Sequence, residues 1–165
     1  MATEIERKFL LADDGWRMMY TGRKRIRDGL IATAPGCKVR VRAYADRATL
    51  TVKAKTSGLS DAEYECEIPL ADAEELLATR CDGKVLSKTR YYVPYKGFMW
   101  EIDEYDGLLA GVVLAEVELY REDIKVPLPP WVSVEVTGRP EYKKSIMHVA
   151  RRAMHMTGKG AQRPL

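Results

Sequence analysis

The sequence predicts a mainly β, α+β domain of about eight antiparallel strands with two or three helices beside the sheet. Two observations predict it. Segments in which charged and apolar residues alternate at every second position recur along most of the chain, as is typical of β-strands. The connections between these segments are short, which antiparallel neighbours allow and parallel ones do not.

The first strand is predicted between residues 3 and 9. Glu4, Glu6 and Lys8 occupy alternate positions there. A strand therefore places their side chains in a row on one face and apolar side chains on the other. A charged row is ordinary on a strand with one face in water. The row indicates more than an ordinary wet strand here because the same alternation of charged and apolar residues recurs in the later strands.

Charges in the later strands are sorted by sign. The basic strands carry Arg40 and Arg42, Lys53 and Lys55, and Lys88 and Arg90, and the acidic strands carry Glu63, Glu65 and Glu67, Glu101 and Asp103, and Glu116 and Glu118. A last strand over residues 132–137 alternates valine with polar residues. Like charges set close together repel, so a merely soluble surface gains nothing from such doublets. The set as a whole indicates a functional site.

Two regions have helical patterns, and a short helical turn is predicted over residues 15–20. The first helix is predicted from residue 73 to about residue 80. Asp72 and Glu75 have the spacing of a capping box at its start, and Asp82-Gly83 would end it.

The last helix is predicted from Tyr142 or Lys143 to Met156, with a stop at Gly158. Its two histidines, at positions 148 and 155, are predicted to be packed or exposed helix residues rather than ligands. Residues 159–165 are predicted to form a flexible basic tail, which leaves 1–158 as a single domain. The predicted apolar stripe of the helix consists of Ile146, Val149, Ala150 and Ala153.

Composition excludes several classes of protein. The 27 basic and 24 acidic residues give a formal charge of only +3, so no global field attracts nucleic acid. No apolar run approaches membrane-spanning length, and the N-terminus opens on a strand rather than a signal peptide. The three cysteines have neither a disulfide nor a zinc spacing. We expect a cytoplasmic protein that binds neither nucleic acid nor membrane. The basic stretch 23–27 fits a nucleic-acid patch, but a solvated strand rim fits it at least as well.

Strands this numerous can close into a barrel, which removes exposed edges. Either the charged faces line the bore and the apolar faces are covered from outside, or the apolar faces fill the barrel. The residues alone leave both arrangements open. Strands of one sign favour charges inside, because opposite signs facing each other across a narrow bore compensate. An uncovered apolar outer face would suit a homodimer.

Basic side chains gathered in one bore need a polyanion, and carboxylates gathered there need a cation. Arginine forks match phosphate oxygens, and lysines act as point charges. The candidate metal ligands are carboxylate oxygens, which suit Mg²⁺ or Mn²⁺ rather than Zn²⁺. Phosphoryl transfer is the reaction class that follows. No Walker-type loop, Gly-x-Ser-x-Gly elbow or His-Glu-x-x-His motif supports another reaction.

The ordered series of motifs resembles the CYTH superfamily, the triphosphate tunnel metalloenzymes. Glu4-Ile5-Glu6-Arg7-Lys8 matches the Glu-x-Glu-x-Lys signature of that family. The resemblance covers roughly Thr3 to His148, and its later motifs are Val39-Arg40-Val41-Arg42, Thr51-Val52-Lys53, Glu63-Tyr64-Glu65, Lys88-Thr89-Arg90-Tyr91, Glu116-Val117-Glu118-Leu119, Pro130-Trp131, Glu135-Val136-Thr137 and Tyr142-Lys143.

The resemblance implies a closed eight-stranded antiparallel β-barrel, or tunnel, with a charged interior and a few flanking helices. By resemblance, Glu4, Glu6 and Glu118 would hold the divalent metal. The phosphates would be held by Arg40, Arg42, Lys53, Lys88 and Arg90, with Lys55 as a further cation of the bore and Asp103 ordering the basic wall. Glu65 and Glu116 are candidates for orienting the attacking water, directly or through a second metal, and Lys8 would act beside the phosphates.

The leading hypothesis is a tripolyphosphatase that depends on Mg²⁺ or Mn²⁺, with nucleoside triphosphates as further substrates. The alternatives are a class IV adenylyl cyclase, a thiamine triphosphatase and a catalytically silent polyphosphate-binding module. Two positions depart from the family pattern. Leu30 stands where many bacterial members carry an aromatic residue, and Lys144 stands where the pattern Tyr-x-Asn has asparagine.

Overall fold

The computed structural model describes residues 2–56, 60–81 and 84–159, without the side chains of residues 2–4, 60–61 and 155–159. The strands are β1 Ala2–Leu11, β2 Gly22–Ala34, β3 Cys37–Ala43, β4 Ala48–Lys55, β5 Ser60–Ile68, β6 Val85–Tyr95, β7 Phe98–Tyr105, β8 Val113–Leu119 and β9 Val132–Glu135. The helices are α1 Leu70–Thr79 and α2 Lys144–Lys159, and short 3₁₀ turns span Gly15–Met18, Gly107–Leu109 and Pro140–Tyr142.

The strands form one antiparallel sheet of nine in the order β5-β4-β3-β2-β6-β7-β8-β1-β9, and β1 also pairs with β5. The predicted count of about eight is therefore wrong by one. The strand that the sequence pattern does not predict is β2, of which only residues 23–27 are interpreted as a strand rim. A register irregularity between Leu30 and Ala32 breaks its alternation, which is why its period-2 pattern is weak.

The basic stretch of β2 makes contacts within the protein. Arg25 forms an ion pair with Asp106, and Arg27 Nη1 donates to Glu74 Oε2 at 2.9 Å. Lys24 Nζ lies 5.7 Å from the ring of Tyr92. These contacts fit the strand-rim interpretation, and the exclusion of nucleic acid stays a prediction.

Apolar side chains pack on one face of the sheet, and charged side chains lie on the other. Trp100 is central to the largest apolar cluster, with its ring centroid 5.3 Å from that of Phe9 and 5.6 Å from that of Trp131. Ala73 and Leu77 of α1 cover the apolar face of β3 and β4. Because side chains alternate along a strand, the opposite face carries the buried charged residues, namely Asp28, Arg42, Lys88, Arg90, Asp103 and Glu116.

The predicted capping box of the first helix is wrong. The helix α1 begins at Leu70 with Pro69 at the N-cap position, and no side chain caps it. Asp72 lies in the first turn instead, where a negative charge still complements the helix dipole. The helix ends at Thr79. The predicted stop at residues 82–83 lies outside the described residues.

The predicted limits of the last helix are close to the observed ones, but the prediction of the face that packs against the protein is wrong. The helix α2 begins at Lys144 and continues through Gly158 to Lys159, so the predicted stop at Gly158 is wrong. Its predicted apolar stripe is exposed, as shown by Ile146 at 42% and Val149 at 66%, and Ala150 and Ala153 are also exposed. The helix instead turns Met147 and the buried His148 inward.

The short helical turn predicted over residues 15–20 is present at Gly15–Met18. Lys159, the first residue of the predicted basic tail, belongs to α2, and residues 160–165 lie outside the described residues. Within the described chain, neither helix has the length and apolar character needed to cross a lipid bilayer.

Candidate active site

Arg90 of β6 is the centre of a buried charged cluster. Its Nε donates to Asp103 Oδ1 at 2.7 Å, and its Nη2 donates to Asp103 Oδ2 and to Glu116 Oε2, each at 2.8 Å. Its Nη1 contacts Glu101. Strand register produces this cluster, because Arg90 lies opposite Asp103 and Glu101 lies opposite Glu116. Burial raises the pKa of the Glu101 carboxyl, and the neighbouring Glu116 raises it further against the effect of Arg90.

Glu116 is shared by cations from three elements. Lys8 Nζ of β1 lies 3.1 Å from Glu116 Oε1, and Lys144 Nζ of α2 lies 3.6 Å from the same oxygen. Arg90 occupies Oε2. Burial alone would raise the pKa of Glu116, but the charges of Lys144, Lys8 and Arg90 hold it well below its usual range. The fully buried carboxyl is therefore ionised at neutral pH.

A second cluster joins β2, β3 and β6. Arg42 Nε donates to Asp28 Oδ1 at 2.6 Å, and Arg42 Nη2 donates to Asp28 Oδ2 at 3.0 Å. Lys88 Nζ lies 3.9 Å from Asp28 Oδ2 and also contacts Asp103, which links the two clusters. Lys88 is fully buried, and this burial is the main cause that lowers the pKa of its ammonium.

Arg40 differs from the other two arginines because its contacts are few and long. Its Nη2 donates to Thr51 Oγ1 at 3.3 Å and lies 3.9 Å from Glu65 Oε2. Thr51 Oγ1 donates to the same Glu65 oxygen at 2.9 Å. Arg40 Nε is buried and has no hydrogen-bond partner among the described residues. A half-buried guanidinium with a buried, unpaired Nε donor is suited to bind an anion, because leaving a buried donor without a hydrogen bond is costly.

The two lysines predicted on β4 have different surroundings. Lys53 is half-buried, with its Nζ 2.8 Å from Glu63 Oε2 of β5. Lys55 is exposed at the last residue of the strand. The structure therefore links Lys53 to the acidic strand β5, as the sorting of strands by sign would suggest.

Two of the three predicted metal ligands, Glu6 and Glu118, lie at the seam between β1 and β8. Glu6 is directly opposite Glu118 in strand register, and Glu6 Oε1 lies 3.6 Å from Lys8 Nζ. Glu118 is exposed. The side chain of Glu4 lies outside the described residues, although its backbone pairs with Asp61 of β5.

Carboxylate oxygens on this seam fit a hard divalent cation in kind but do not fill its coordination shell. Among side chains within the described ranges, no group of three or more His, Cys, Asp or Glu has the arrangement of a metal site. Mg²⁺ commonly takes only one or two protein carboxylates and completes its octahedron with water and substrate phosphate oxygens. Two carboxylates on neighbouring strands therefore fit such an ion.

Asp28 and Lys144 belong to the clusters but were not predicted as site residues. Asp28 is a single carboxylate among the basic residues of β2, so no same-sign doublet points to it. Lys144 stands out in the sequence only as a departure from the family pattern. Its position beside Glu116 depends on how α2 docks, which no local pattern encodes.

Comparisons with known proteins agree on one family. The model of the CYTH domain family matches residues 2–151. An inorganic triphosphatase of Acetivibrio thermocellus is 41% identical over 145 residues, which cover 88% of this chain and 92% of the relative. An inorganic triphosphatase of Nitrosomonas europaea is 34% identical over 152 residues, covering 88% and 96%. A crystal structure of an inorganic triphosphatase is 32% identical with a TM-score of 0.63, covering 90% of this chain and 96% of that one. The chain therefore belongs to the CYTH domain family, as its series of motifs predicted.

Proposed function

We propose that this protein is a metal-dependent triphosphatase whose preferred substrate is inorganic tripolyphosphate. The observation that carries the proposal is Arg40, a half-buried guanidinium on the charged face of the sheet whose buried Nε has no hydrogen-bond partner among the described residues. A phosphate oxygen is the acceptor that such a donor matches best. Two relatives that are at least 34% identical over 88% of this chain are named inorganic triphosphatases, which supports the same substrate.

We infer that the sheet closes into a tunnel of eight strands, with β9 attached outside the ring. The pairings of β1 support this inference. Residues 5–9 of β1 pair with β8, which precedes β1 in the strand order, and residues 2–5 pair with β5, the first strand of that order. A ring made in this way encloses the charged face, because the apolar face is covered by α1 and by the segments that carry Trp16 and Trp131.

The residues of the chain divide into binding and ordering roles. Arg40 and Lys8 bind phosphate oxygens. Arg42 joins them through Nη1, since Asp28 occupies its other two nitrogens. Arg90 and Asp103 hold each other through two hydrogen bonds and order the wall of the site. The further phosphate-binding cations of this proposal are Lys53, Lys55 and Lys88.

A carboxylate orients the water that attacks the terminal phosphorus, and Glu65 and Glu116 are the two candidates. Glu116 is ionised and buried among three cations, so it accepts a hydrogen bond from water but is a weak base. Glu65 is more exposed and accepts a hydrogen bond from Thr51, close to Arg40. The water oxygen forms the new P–O bond as the bond between the terminal phosphorus and the bridging oxygen breaks. The bridging oxygen keeps the electron pair on the leaving diphosphate, and the orienting carboxylate takes the proton that the water loses.

Glu4, Glu6 and Glu118 would hold the divalent cation, Mg²⁺ or Mn²⁺. When bound, such an ion neutralises charge on the phosphate oxygens and so favours attack by water. The chain's contribution is to present carboxylates from β1 and β8 at one seam beside Lys8.

A phosphate-release assay with purified protein tests the proposal. Tripolyphosphate, ATP, thiamine triphosphate and pyrophosphate are each supplied with Mg²⁺, with Mn²⁺ or with EDTA. We expect phosphate release from tripolyphosphate with either metal and none in EDTA. Release from pyrophosphate alone would overturn the proposal, as would binding of tripolyphosphate without any hydrolysis. Cyclic AMP formed from ATP without phosphate release would establish the cyclase alternative.

A further inference from the structure

The first residue of α2 brings a cation into the charged cluster from outside the sheet. Lys144 Nζ lies 3.6 Å from Glu116 Oε1, and 27% of the lysine side chain is exposed. Glu116 is also contacted by Lys8 and Arg90, which are fixed in strands β1 and β6. Lys144 is therefore the helix-borne cation of this cluster.

Helix stability does not account for a lysine at this position. The N-terminus of a helix carries partial positive charge, so acidic residues stabilise the first turn and cations destabilise it. The first turn of α2 has no acidic residue and begins with Lys144. A local rule broken in this way is typical of a functional position.

Apolar contacts on both sides of Lys144 hold the start of α2 in place. Tyr142 and Met147 pack against the cluster formed by Tyr105, Leu109 and Leu114. The next residue along the helix, His148, is buried. The backbone of Lys144 is thereby anchored, and its ammonium is directed to Glu116 by the fold rather than by a flexible tail.

Lys144 is charged, and the carboxylate it contacts already has two other cations. Burial alone would lower the pKa of Lys144, but Glu116 and Glu6 raise it. The charge of Lys144 also lowers the pKa of the buried Lys88, which means that the cations here repel one another. A bound anion would relieve that repulsion.

We propose that Lys144 is a substrate-binding residue, whose ammonium moves from Glu116 to a phosphate oxygen of the bound triphosphate. Glu116 holds the ammonium in the free protein, so the side chain is oriented before substrate arrives. The triphosphate then lies against the start of α2, and the substrate makes a contact with the helix as well as with the sheet. This inference rests on the proposed function, because it takes the ligand to be a triphosphate.

Two measurements test the role of Lys144, using the full chain. Calorimetric titration with tripolyphosphate in EDTA measures binding without turnover, and initial rates with Mg²⁺ separate KM from kcat. In Lys144→Met we expect the Kd and the KM each to rise about tenfold, as loss of one charge-assisted hydrogen bond predicts. Lys144→Arg should stay within about threefold of wild type, because it keeps the charge and the donors.

Lys143→Met is the matched control, because it removes one exposed charge from the neighbouring position. Its Kd should stay within about twofold of wild type, since exposed charges are screened. Equal weakening in Lys143→Met and Lys144→Met would overturn the inference, as would a Lys144→Met protein that binds tripolyphosphate like wild type or more tightly. The thermal midpoint of each variant identifies any loss of folding.

The two proposals fail in different ways. Hydrolysis by wild type with an unchanged KM in Lys144→Met would overturn the role of Lys144 and leave the proposed function intact. Tripolyphosphate binding that depends on Lys144 without any hydrolysis would overturn the proposed function and leave the binding role intact.

Discussion

Asp28 of β2 lies directly opposite Arg42 of β3, and the carboxylate accepts two hydrogen bonds from the guanidinium. The two side chains are 10% and 9% exposed, so the pair is almost fully withdrawn from water. Such a pair fixes the plane of the guanidinium, because the two donors and two acceptors are coplanar. Arg42 is therefore oriented before any ligand arrives.

Replacing Asp28 by asparagine should destabilise the protein strongly. The Asp28→Asn change leaves the guanidinium of Arg42 buried without its charged partner, which typically costs about 3–5 kcal/mol. Urea unfolding measures the free energy. The control is Asp123→Asn, whose partner Arg121 is 66% exposed, and there we expect the free energy of unfolding to change little. Equal effects of the two substitutions would mean that the Asp28–Arg42 pair is no more withdrawn from water than the exposed Asp123–Arg121 pair.

The same carboxylate predicts how stability depends on pH. Burial alone would raise the pKa of Asp28, but Arg42 and Lys88 hold it well below its usual range. A pKa depressed by folding contributes stability that is complete above the unfolded value of about 4 and is lost as pH falls below it. We expect the free energy of unfolding of wild type to fall between about pH 4 and pH 2. In Asp28→Asn that decline should be shallower, and an identical slope would contradict the assignment.

Most strands could be predicted from the sequence, and β2 shows why one could not. Period-2 alternation reports a strand whose two faces have different environments. The irregularity after Leu30 shifts the faces of β2, and Gly29 lacks a side chain, so the pattern fades although the strand is the longest in the sheet. For α2, helical spacing revealed an apolar stripe but not which face meets the protein, since only tertiary contacts decide that.

The candidate site was predictable as a set of charges but not as a set of pairs. Same-sign doublets identified Arg40, Arg42 and Arg90 as equivalent cations. The structure separates them, because strand register gives Arg42 and Arg90 carboxylate partners and leaves Arg40 with a vacant donor. Register between distant strands is a long-range property, and no alternation within one strand encodes it.

Arg40 and Arg90 should therefore differ when each is replaced by alanine. Arg40→Ala removes only long contacts, so we expect the thermal midpoint to change little and the KM for tripolyphosphate to rise about tenfold or more. Arg90→Ala leaves Asp103 and Glu116 without their main donor. We therefore expect it to raise the KM and also to lower the free energy of unfolding by about 3–5 kcal/mol. Initial rates and urea unfolding, measured side by side, separate the two effects. An Arg40→Ala protein with unchanged KM would mean that the phosphates bind elsewhere.

Gly29 should resist substitution because α1 packs directly on it. A Cβ at this position would lie 2.7 Å from Leu77 Cδ2 and closer still to Cys81 Sγ. Gly29→Ala should lower the free energy of unfolding by about 1–3 kcal/mol through overpacking. Adding Cys81→Ala makes room, so the double variant should be more stable than the two single effects sum to. Strict additivity in urea unfolding would show that the two positions do not clash.

Removal of a carboxylate at the seam between β1 and β8 should weaken metal binding without unfolding the protein. Glu6 and Glu118 lie opposite each other on neighbouring strands, and neither is fully buried, so amide replacements are tolerated structurally. In Glu6→Gln and Glu118→Gln we expect Mn²⁺ affinity, measured by electron paramagnetic resonance, to fall more than about tenfold, with turnover falling in parallel.

The control is Glu122→Gln, at an exposed position beyond the end of β8, and it should keep wild-type affinity for Mn²⁺. Wild-type Mn²⁺ binding in Glu6→Gln would move the metal away from this seam.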